Sequence, residues 1–466
     1  MRQTQIKLAR TLRFWLFLSS HKSEMKGFAI VAVAVVVLAV ALQTVVLRPS
    51  LGQQARNALQ TLKEPPPELA APGWALQIAE AGLAVLDQLG VAVKPAPLRA
   101  FEALFGFGLT QGLAALARME VFDGLAEAAE NGTTCEELVV FMRKRDRDRR
   151  PIPIRRLPVD PELLCRLLDF AAANQFVNKD QDTGRFYLNE FSVLFTQGAD
   201  NLASVAPMLF HNADEINLGW TRLHDGIRDK LSAFELANGD DVWSFYDKNP
   251  EKSANFNLAM RSISANFAPA LLLGYADDFK EFVRQYKRPL HLCDVGGGIG
   301  SVAAGILSDF PNATATVIDM AHMETQANEY FEQVHLQDRI KFVPGNFFQP
   351  LAVECDYYLL KHIIHDWNDT SSLDILKAVR ANMPSHSKLL LVETVMETRN
   401  PYFERLKRFV DMQMLVVFRD AKERTQHEFN ALLEFSRFQM KRRIPLRGLF
   451  DIVEAIPVET SGNQQS

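Results

Sequence analysis

The stretch DVGGGIGSVAAGIL, residues 294–307, joins an apolar segment to a helix-forming segment through four glycines. Glycine lets the backbone turn sharply and leaves no side chain between the backbone and a ligand. A helix that begins near Ser301 would offer free amide hydrogens to a bound group. The next apolar segment ends at Asp319, whose carboxylate can accept hydrogen bonds from ribose hydroxyls. These features predict a site for an adenosine-containing cofactor.

Apolar segments alternate with helix-length segments from about residue 288 onward. Five of them are predicted strands, with the sequences LHLCDV, TATVID, IKFVPG, DYYLLKHII and KLLLVET. Each is nearly continuous in apolar residues, which is typical of strands buried on both faces. The pattern predicts an α/β domain in which helices cover both faces of a parallel sheet.

The stretch LLKHIIHDWND, residues 359–369, places two histidines, an aspartate and a tryptophan directly after an apolar run. Open α/β folds bind their ligands at the carboxyl ends of the strands. The stretch is therefore predicted to be a strand that delivers polar side chains to a site.

Three interpretations of the glycine loop remain open at this point. Gly298-Ile-Gly300-Ser-Val-Ala303 fits the dinucleotide pattern GxGxxG/A. Methyltransferases that use S-adenosylmethionine carry an acidic residue two places before the first glycine, as Asp294 precedes Gly296. A tight strand-to-helix turn without a ligand is the third interpretation, which Asp319 downstream disfavours.

The amino terminus has a different composition. Residues 27–47 contain no charged residue, and as a helix with a rise of ~1.5 Å per residue they would be roughly 31 Å long, enough to span a bilayer. We interpret residues 27–47 as one transmembrane helix, with a buried core helix as the alternative. Residues 1–26 are basic and contain a single acid, Glu24, which also fits an organelle-targeting extension.

The flanking charges and the expected cofactor favour opposite sides of the membrane for the chain beyond residue 47. Six basic residues precede the apolar helix and three follow it closely, which favours a cytosolic amino terminus. If the glycine loop binds S-adenosylmethionine, the need for this methyl donor and the lack of a disulfide pattern favour a reducing compartment that contains it. We expect the chain beyond residue 47 to face the reducing compartment that contains the donor.

From about residue 76 to residue 275 the apolar spacing is helical, after a proline-rich linker at roughly 60–75. The segment FVNKDQDTGRFYLN interrupts the helices with a predicted hairpin, which together with them suggests a winged-helix unit. The hairpin is close to neutral and the net charge of the chain is -5, so we expect no nucleic-acid partner.

The segment RKRDRDRRPIPIRR, residues 143–156, contains eight basic residues. A phosphate-binding patch is one interpretation of it. A solvated, disordered insertion between two helices is favoured, because the segment contains two prolines and no aromatic residue.

The four cysteines are scattered at positions 135, 165, 293 and 355, without a metal-ligand spacing. They predict reduced, mostly buried thiols and no disulfide framework.

Nine motifs occur in order along the chain: LARMEVFDGLAE, TTCEELV, FNLAM, DVGGGIG, GNFFQPL, LLKHIIHDWND, LLLVET, DMQML and KERT. Through them the chain resembles, over roughly residues 100–440, the His-dependent class of S-adenosylmethionine-dependent O-methyltransferases of plant phenolics and of hydroxyindoles such as acetylserotonin. The resemblance implies a Rossmann-like methyltransferase domain preceded by a mainly helical, winged-helix dimerisation domain. It also implies S-adenosyl-L-methionine as cofactor and no metal.

In this family the histidine of the HDW motif is the general base, which corresponds to His365 and not to His362. The two glutamates that hold its tautomer correspond to Glu393 and Glu423, while Asp366 is expected to be a structural partner. A phenol has a pKa of ~10 and imidazole a pKa of ~6.5, so a neutral histidine is a competent base as the carbon–oxygen bond forms. The implied cofactor-binding residues are Asp294, Gly296, Gly298, Gly300, Asp319, Asn346, Phe347, Lys361 and Trp367.

The acceptor pocket of the family is lined at positions that correspond to Phe256, Met260, Asp411, Met412, Gln413 and Met414. Methionines and aromatic residues at helical spacing are equally typical of a core. Asn346 stands where many relatives have Asp, and RDA replaces the glycines that commonly precede KERT. These departures bear on the identity of the substrate more than on the reaction.

We therefore expect a homodimeric O-methyltransferase, attached to a membrane through residues 27–47, that methylates a hydroxyl of a small aromatic molecule. The alternatives are a catalytically silent homologue that acts as a membrane-tethered binding partner, a dehydrogenase, and N- or C-methylation. The expected boundaries are a basic segment at 1–26, the transmembrane helix at 27–47, a linker and helix at 48–97, the dimerisation domain at 98–200, connecting helices that contribute to the acceptor pocket at 201–287, the methyltransferase domain at 288–457 and a tail at 458–466.

Overall fold

The computed structural model describes residues 95–149, 159–198, 204–397, 401–446 and 448–458. The expected basic segment, transmembrane helix and linker lie outside the described residues. Within the described ranges no single helix is both long enough and apolar enough to cross a membrane, although one pair of helices joined at a 41° bend, Ala96–Leu104 and Gly106–Arg118, passes that test by length and composition.

The first part of the described chain is helical and encloses a core of its own. Leu116, Phe122, Leu168 and Phe186 are all fully buried in this core. The predicted hairpin is present and antiparallel, with Asn178 opposite Tyr187. The elements are α1 (Ala96–Leu104), α2 (Gly106–Arg118), α3 (Val121–Ala128), α4 (Cys135–Arg149), α5 (Pro161–Ala173), β1 (Asn178–Lys179) and β2 (Phe186–Tyr187).

A series of short helices then leads into one helix of 37 residues. That helix packs closely on the helix after the glycine loop, since a Cβ built on Gly305 would lie 2.5 Å from the Cβ of Ala268. A π-helical turn, Asn212–Ile216, interrupts the series. The helices are α6 (Ala206–His211), α7 (Asn217–Thr221), α8 (Leu223–Asp229), α9 (Ala233–Asn238), α10 (Val242–Lys248) and α11 (Pro250–Tyr286).

A seven-stranded sheet forms the second part of the described chain, with the strand order β5-β4-β3-β6-β7-β9-β8. The first five strands are parallel and coincide with the five predicted strands, whereas β8 and β9 pair antiparallel at the edge next to β7. The strands are β3 (His291–Val295), β4 (Thr314–Asp319), β5 (Ile340–Pro344), β6 (Tyr357–Lys361), β7 (Lys388–Glu393), β8 (Phe438–Pro445) and β9 (Asp451–Pro457).

Helices cover both faces of this sheet, as the continuous apolar strands predicted. Residues of β3 alternate between two buried clusters, with Leu292 in one and Cys293 in the other. The helices are α12 (Ser301–Asp309), α13 (Glu324–Gln333), α14 (Asp369–Ala381), α15 (Pro401–Phe418) and α16 (Gln426–Phe435). Because β4 lies on one side of β3 and β6 on the other, the carboxyl ends of β3 and β6 form the switch point where such sheets bind ligands.

The prediction of four reduced thiols is wrong in this structure, because the cysteines form two disulfides. Cys135 in α4 is joined to Cys165 in α5, and Cys293 in β3 to Cys355 just before β6. The Cα atoms lie 5.5 Å and 5.7 Å apart, within the usual disulfide range of about 4.4–6.8 Å. Each pair is 30 or 62 residues apart in sequence and becomes adjacent only when neighbouring elements pack.

The prediction of a disordered insertion is wrong for residues 143–149, which continue helix α4 to Arg149. Glu120 forms an ion pair with Arg145, whose Nε lies 2.6 Å from the Glu120 carboxylate. The helix therefore continues through the basic residues with support from an acidic neighbour. The rest of the segment lies outside the described residues.

Candidate active site

The glycine loop follows β3 and turns directly into α12. Gly296 has φ 71° and Gly298 has φ 58°, in the left-handed region that favours glycine. A Cβ on Gly296 would lie 2.4 Å from Cδ1 of Ile363 and 3.5 Å from the Phe347 ring, so this glycine allows both side chains to approach the loop. A Cβ on Gly298 would meet nothing within 4 Å, so the loop is open on that side.

Two carboxylates hold the loop in place. The Gly298 amide donates to Oδ2 of Asp319 at 2.7 Å, and the Met320 amide donates to Oδ1 of the same side chain at 2.7 Å. Asp294 is buried beneath the loop and accepts from the Ala303 amide at 3.3 Å. Burial raises the pKa of Asp294 to about 6.

These residues fit an adenosine-containing cofactor. The carboxylate of Asp319 is bound to the Gly298 amide and has lone pairs left for ribose hydroxyls after accepting two amide hydrogens. Aromatic rings line the loop after β5, where Trp367 packs edge-on against Phe347 at 6.1 Å and against Phe348 at 4.8 Å between centroids. Oδ1 of Asn346 accepts from the Phe348 amide, which leaves its side-chain N–H groups as donors.

The second part of the site begins where β6 ends. The predicted strand extends to Ile364, but β6 ends at Lys361 because His362 has φ 54°. Residues Ile364–Asp366 form a short 3₁₀ turn. Oε1 of Glu393 accepts from the amides of Ile363 at 3.2 Å and Ile364 at 2.9 Å, so this carboxylate fixes the backbone before His365.

His365 is buried and its Nδ1 lies 2.7 Å from Oε1 of Glu423. Glu393 lies further away, with 3.9 Å between its Oε2 and the same Nδ1, so it supports the turn and makes no hydrogen bond to the ring. On the other side of the ring, Oδ1 of Asp366 lies 3.3 Å from Nε2. Of the two glutamates that the resemblance implied, Glu423 hydrogen-bonds the imidazole, whereas Glu393 acts on it only through its charge.

Burial disfavours the charged imidazolium, but the carboxylates of Glu423, Asp366 and Glu393 outweigh burial and raise the pKa of His365 to about 10. For the pKa of Lys361, burial outweighs the nearby carboxylates. Burial lowers its pKa to about 8, although the carboxylates of Asp294, Glu393 and Asp366 favour its charged form. The ligand atoms of His365, Glu393 and Glu423 lie within 4.8 Å of one another, a spacing that could also hold a metal ion.

The segment that carries Glu423 is fixed by two side chains whose roles the sequence did not indicate. Oδ1 of Asp411 accepts from the Glu423 amide at 3.0 Å. Arg424 is fully buried and donates to the carbonyl oxygens of Ile364 and Trp367 at 2.8 Å and 2.7 Å. Arg424 belongs to the KERT motif, in which the resemblance implies a role for the glutamate alone, and it implies a role for Asp411 only in the acceptor pocket.

The implied acceptor residues lie on two helices, α11 and α15. Gln413 is oriented at both ends of its amide, since Trp220 donates to its Oε1 at 3.2 Å and its Nε2 donates to Asn212 at 3.1 Å. Phe256 stacks on Tyr246 at 4.8 Å between centroids. The remaining positions, Met260, Met412 and Met414, are partly buried on the same two helices.

A family model described as an O-methyltransferase domain matches residues 220–439. The chain is 28% identical to the phenazine O-methyltransferase PhzM of Lysobacter antibioticus, over 77% of this chain and 95% of that protein. It is 30% identical to the O-demethylpuromycin-O-methyltransferase of Streptomyces alboniger, over 65% of this chain and 78% of that protein. Its fold is similar to that of human N-acetylserotonin methyltransferase in complex with SAM, with a TM-score of 0.66, 20% identity and coverage of 79% and 99% of the two chains.

The glycine loop at the end of β3 and the histidine turn at the end of β6 thus occur in a chain whose sequence matches methyltransferases along most of its described length. The chain belongs to the S-adenosylmethionine-dependent O-methyltransferases, and S-adenosylmethionine is its cofactor.

Proposed function

We propose that the enzyme methylates a hydroxyl of a small aromatic molecule and that His365 is the general base. The observation that carries the proposal is the 2.7 Å contact between Nδ1 of His365 and Oε1 of Glu423 at the carboxyl end of β6. Relatives named for phenazine and for N-acetylserotonin support an aromatic acceptor. When bound, S-adenosylmethionine supplies a methyl group that is already activated as a sulfonium.

The chain must then align the acceptor and remove one proton. Glu423 accepts a hydrogen bond from the Nδ1–H group of His365, which keeps the proton on Nδ1 and makes Nε2 the basic atom. Glu393 fixes the two amides that precede His365, which holds the ring in position. Asp366 lies 3.3 Å from Nε2 and stabilises the imidazolium that forms when the ring takes up the acceptor proton.

Replacement of the base tests the proposal directly. We expect His365→Ala to lower kcat by about 10²-fold or more, because general-base catalysis contributes about 10²–10⁴-fold. Binding of S-adenosylhomocysteine, measured by calorimetry, should change little. The matched control is His224→Ala, which removes an exposed histidine and should leave turnover unchanged. Near-full turnover of a phenol or hydroxyindole by His365→Ala would show that His365 is structural, and no turnover by the unmodified enzyme on either class would favour the silent homologue.

The charge around His365 predicts a pH effect. Since carboxylates raise the pKa of His365 to about 10, kcat/KM should rise with pH as the neutral imidazole forms. Glu423→Gln removes a negative charge that stabilises the imidazolium, so the pKa falls and the rising limb moves to lower pH. The pH profile of kcat/KM measures this, with His365→Ala as control for ionisation of the acceptor itself. A limb that stays in place or moves to higher pH contradicts the assignment.

We propose that the chain forms a homodimer through α1 and α2. Large apolar side chains are exposed on α1 and at its junction with α2, including Phe101 (59%) and Phe105 (56%), and contiguous exposed apolar surface is typical of interaction sites. Phe101→Glu combined with Phe105→Glu should convert the dimer to a monomer in sedimentation experiments, because charges are costly to bury. Phe435→Glu changes an exposed phenylalanine on α16 and should leave the dimer intact. A monomeric unmodified enzyme at micromolar concentration would refute the proposal.

We propose further that residues 27–47 attach the enzyme to a membrane, on the strength of their charge-free composition. The enzyme should remain in the membrane pellet after carbonate extraction, and removal of residues 1–47 should release it. Extraction of the full chain into the supernatant contradicts attachment. The two disulfides remove one argument for a reducing compartment, while the need for the donor remains, so protease protection of sealed membranes must decide the side.

A further inference from the structure

Arg261 on α11 carries a buried hydrogen-bond donor that the described part of the chain does not satisfy. Its Nε is shielded from solvent and has no hydrogen-bond partner among the described residues. No carboxylate of those residues forms an ion pair with its guanidinium either. A shielded donor without a partner is costly, and more so when the group is charged. The arrangement therefore points to an acceptor that arrives with a ligand.

The contacts of α11 place Arg261 between α12 and α13. Asn257, one turn before Arg261, donates to Oε1 of Gln326 in α13 at 3.4 Å. Ala268, seven residues after Arg261, touches α12, since a Cβ on Gly305 would lie 2.5 Å from the Ala268 Cβ. Residues four and seven apart lie on one face of a helix. Arg261 therefore lies on the face of α11 that packs against α12 and α13.

Tyr330 of α13 lies near both Arg261 and Ser301, the first residue of α12. Burial raises the pKa of Tyr330, whereas the hydroxyl of Ser301 and the positive charge of Arg261 act to lower it. Ser301 directly follows Gly300, the last glycine of the loop. Arg261 is therefore placed where the glycine loop becomes α12.

The start of α12 has further donors to offer to an anion. Ser301 is 6% exposed, and its Oγ is shielded and has no hydrogen-bond partner among the described residues. The Ala303 amide donates to Asp294, whereas the amides of Ser301 and Val302 have no acceptor in the described part of the chain. The first amides of a helix favour negative charge. A hydroxyl, two amides and the guanidinium of Arg261 thus occur at one place.

The cofactor brings an anionic group that needs such donors. The methionine part of S-adenosylmethionine carries a carboxylate, and the glycine loop belongs to the cofactor site. Asp294 and Asp319 lie at this loop and are acidic, so they do not attract a carboxylate. Lys361 lies at the same edge of the sheet, but its charge already acts on Asp294 and Glu393. Arg261 supplies a positive charge that no carboxylate of the described residues pairs with.

We propose that Arg261, with the hydroxyl of Ser301 and the first amides of α12, binds the carboxylate of the methionine part of S-adenosylmethionine. A guanidinium matches a planar carboxylate through two parallel N–H donors, and charge-assisted hydrogen bonds are stronger than neutral ones. The inference concerns the cofactor alone. It depends neither on His365 as the base nor on the class of acceptor.

The test compares two compounds that differ only in this carboxylate. Decarboxylated S-adenosylmethionine keeps the adenosine, the sulfonium and the amine. In calorimetry without an acceptor, the full-length enzyme should bind S-adenosylmethionine about tenfold or more tightly than the decarboxylated form, because the latter leaves the guanidinium unpaired. Arg261→Gln should reduce this preference to about threefold or less, through a loss confined to S-adenosylmethionine. Arg261→Lys keeps the charge and should restore part of the preference.

Arg284→Gln is the matched control, because Arg284 is exposed near the end of the same helix and pairs with Glu281, so both affinities should stay unchanged. Binding of the decarboxylated form shows that a variant is folded. If Arg261→Gln binds neither compound, Arg261→Met, which keeps the apolar part of the side chain, takes its place and should show the same reduced preference.

Equal affinities of the unmodified enzyme for the two compounds overturn this inference and leave the proposed function standing. A preference that persists without the charge of Arg261 also overturns it. An equal loss of affinity for both compounds in Arg261→Met does so too, since it would show that Arg261 only supports the packing of α11. If the unmodified enzyme binds neither compound, the cofactor assignment fails and this inference fails with it.

Discussion

The short hydrogen bond between His365 and Glu423 is the contact on which the reactive part of the molecule depends. Its two members are 58 residues apart in sequence and lie on segments that only the folded chain brings together. Arg424 ties these segments to each other by donating to the carbonyl oxygens of Ile364 and Trp367, on either side of His365. Because Arg424 is fully buried, loss of its hydrogen bonds would leave several polar groups unpaired and would misplace the base.

The order of the strands in the sheet explains why His365 lies near the glycine loop. Strands β3 and β6 are adjacent and parallel, so the glycine loop and the histidine turn leave the same edge at neighbouring points. The glycine loop holds the carboxylate of Asp319 at this edge, while the histidine turn presents imidazoles. The close approach of Ile363 to Gly296 joins the two halves, since any side chain at Gly296 would collide with Ile363.

The carboxylates around His365 have two opposite effects on its function as a base. Glu423, Asp366 and Glu393 stabilise the imidazolium against burial, so the ring is a stronger base but is neutral only at higher pH. Burial and the positive charges of Lys361 and His365 lower the pKa of His362. The pKa values of two imidazoles three residues apart are thus shifted in opposite directions.

The sequence by itself determined the five parallel strands, the hairpin, the glycine loop and the family, because apolar runs, turn residues and ordered motifs are local signals. Tertiary structure alone decided the contacts between distant segments. It directed Oε1 of Glu393 to two backbone amides, paired Cys293 with Cys355, and placed Glu423 at the imidazole of His365. None of these can be read from spacing, since each depends on which elements become neighbours when the sheet and its helices pack and on how burial then sets the charge of each group.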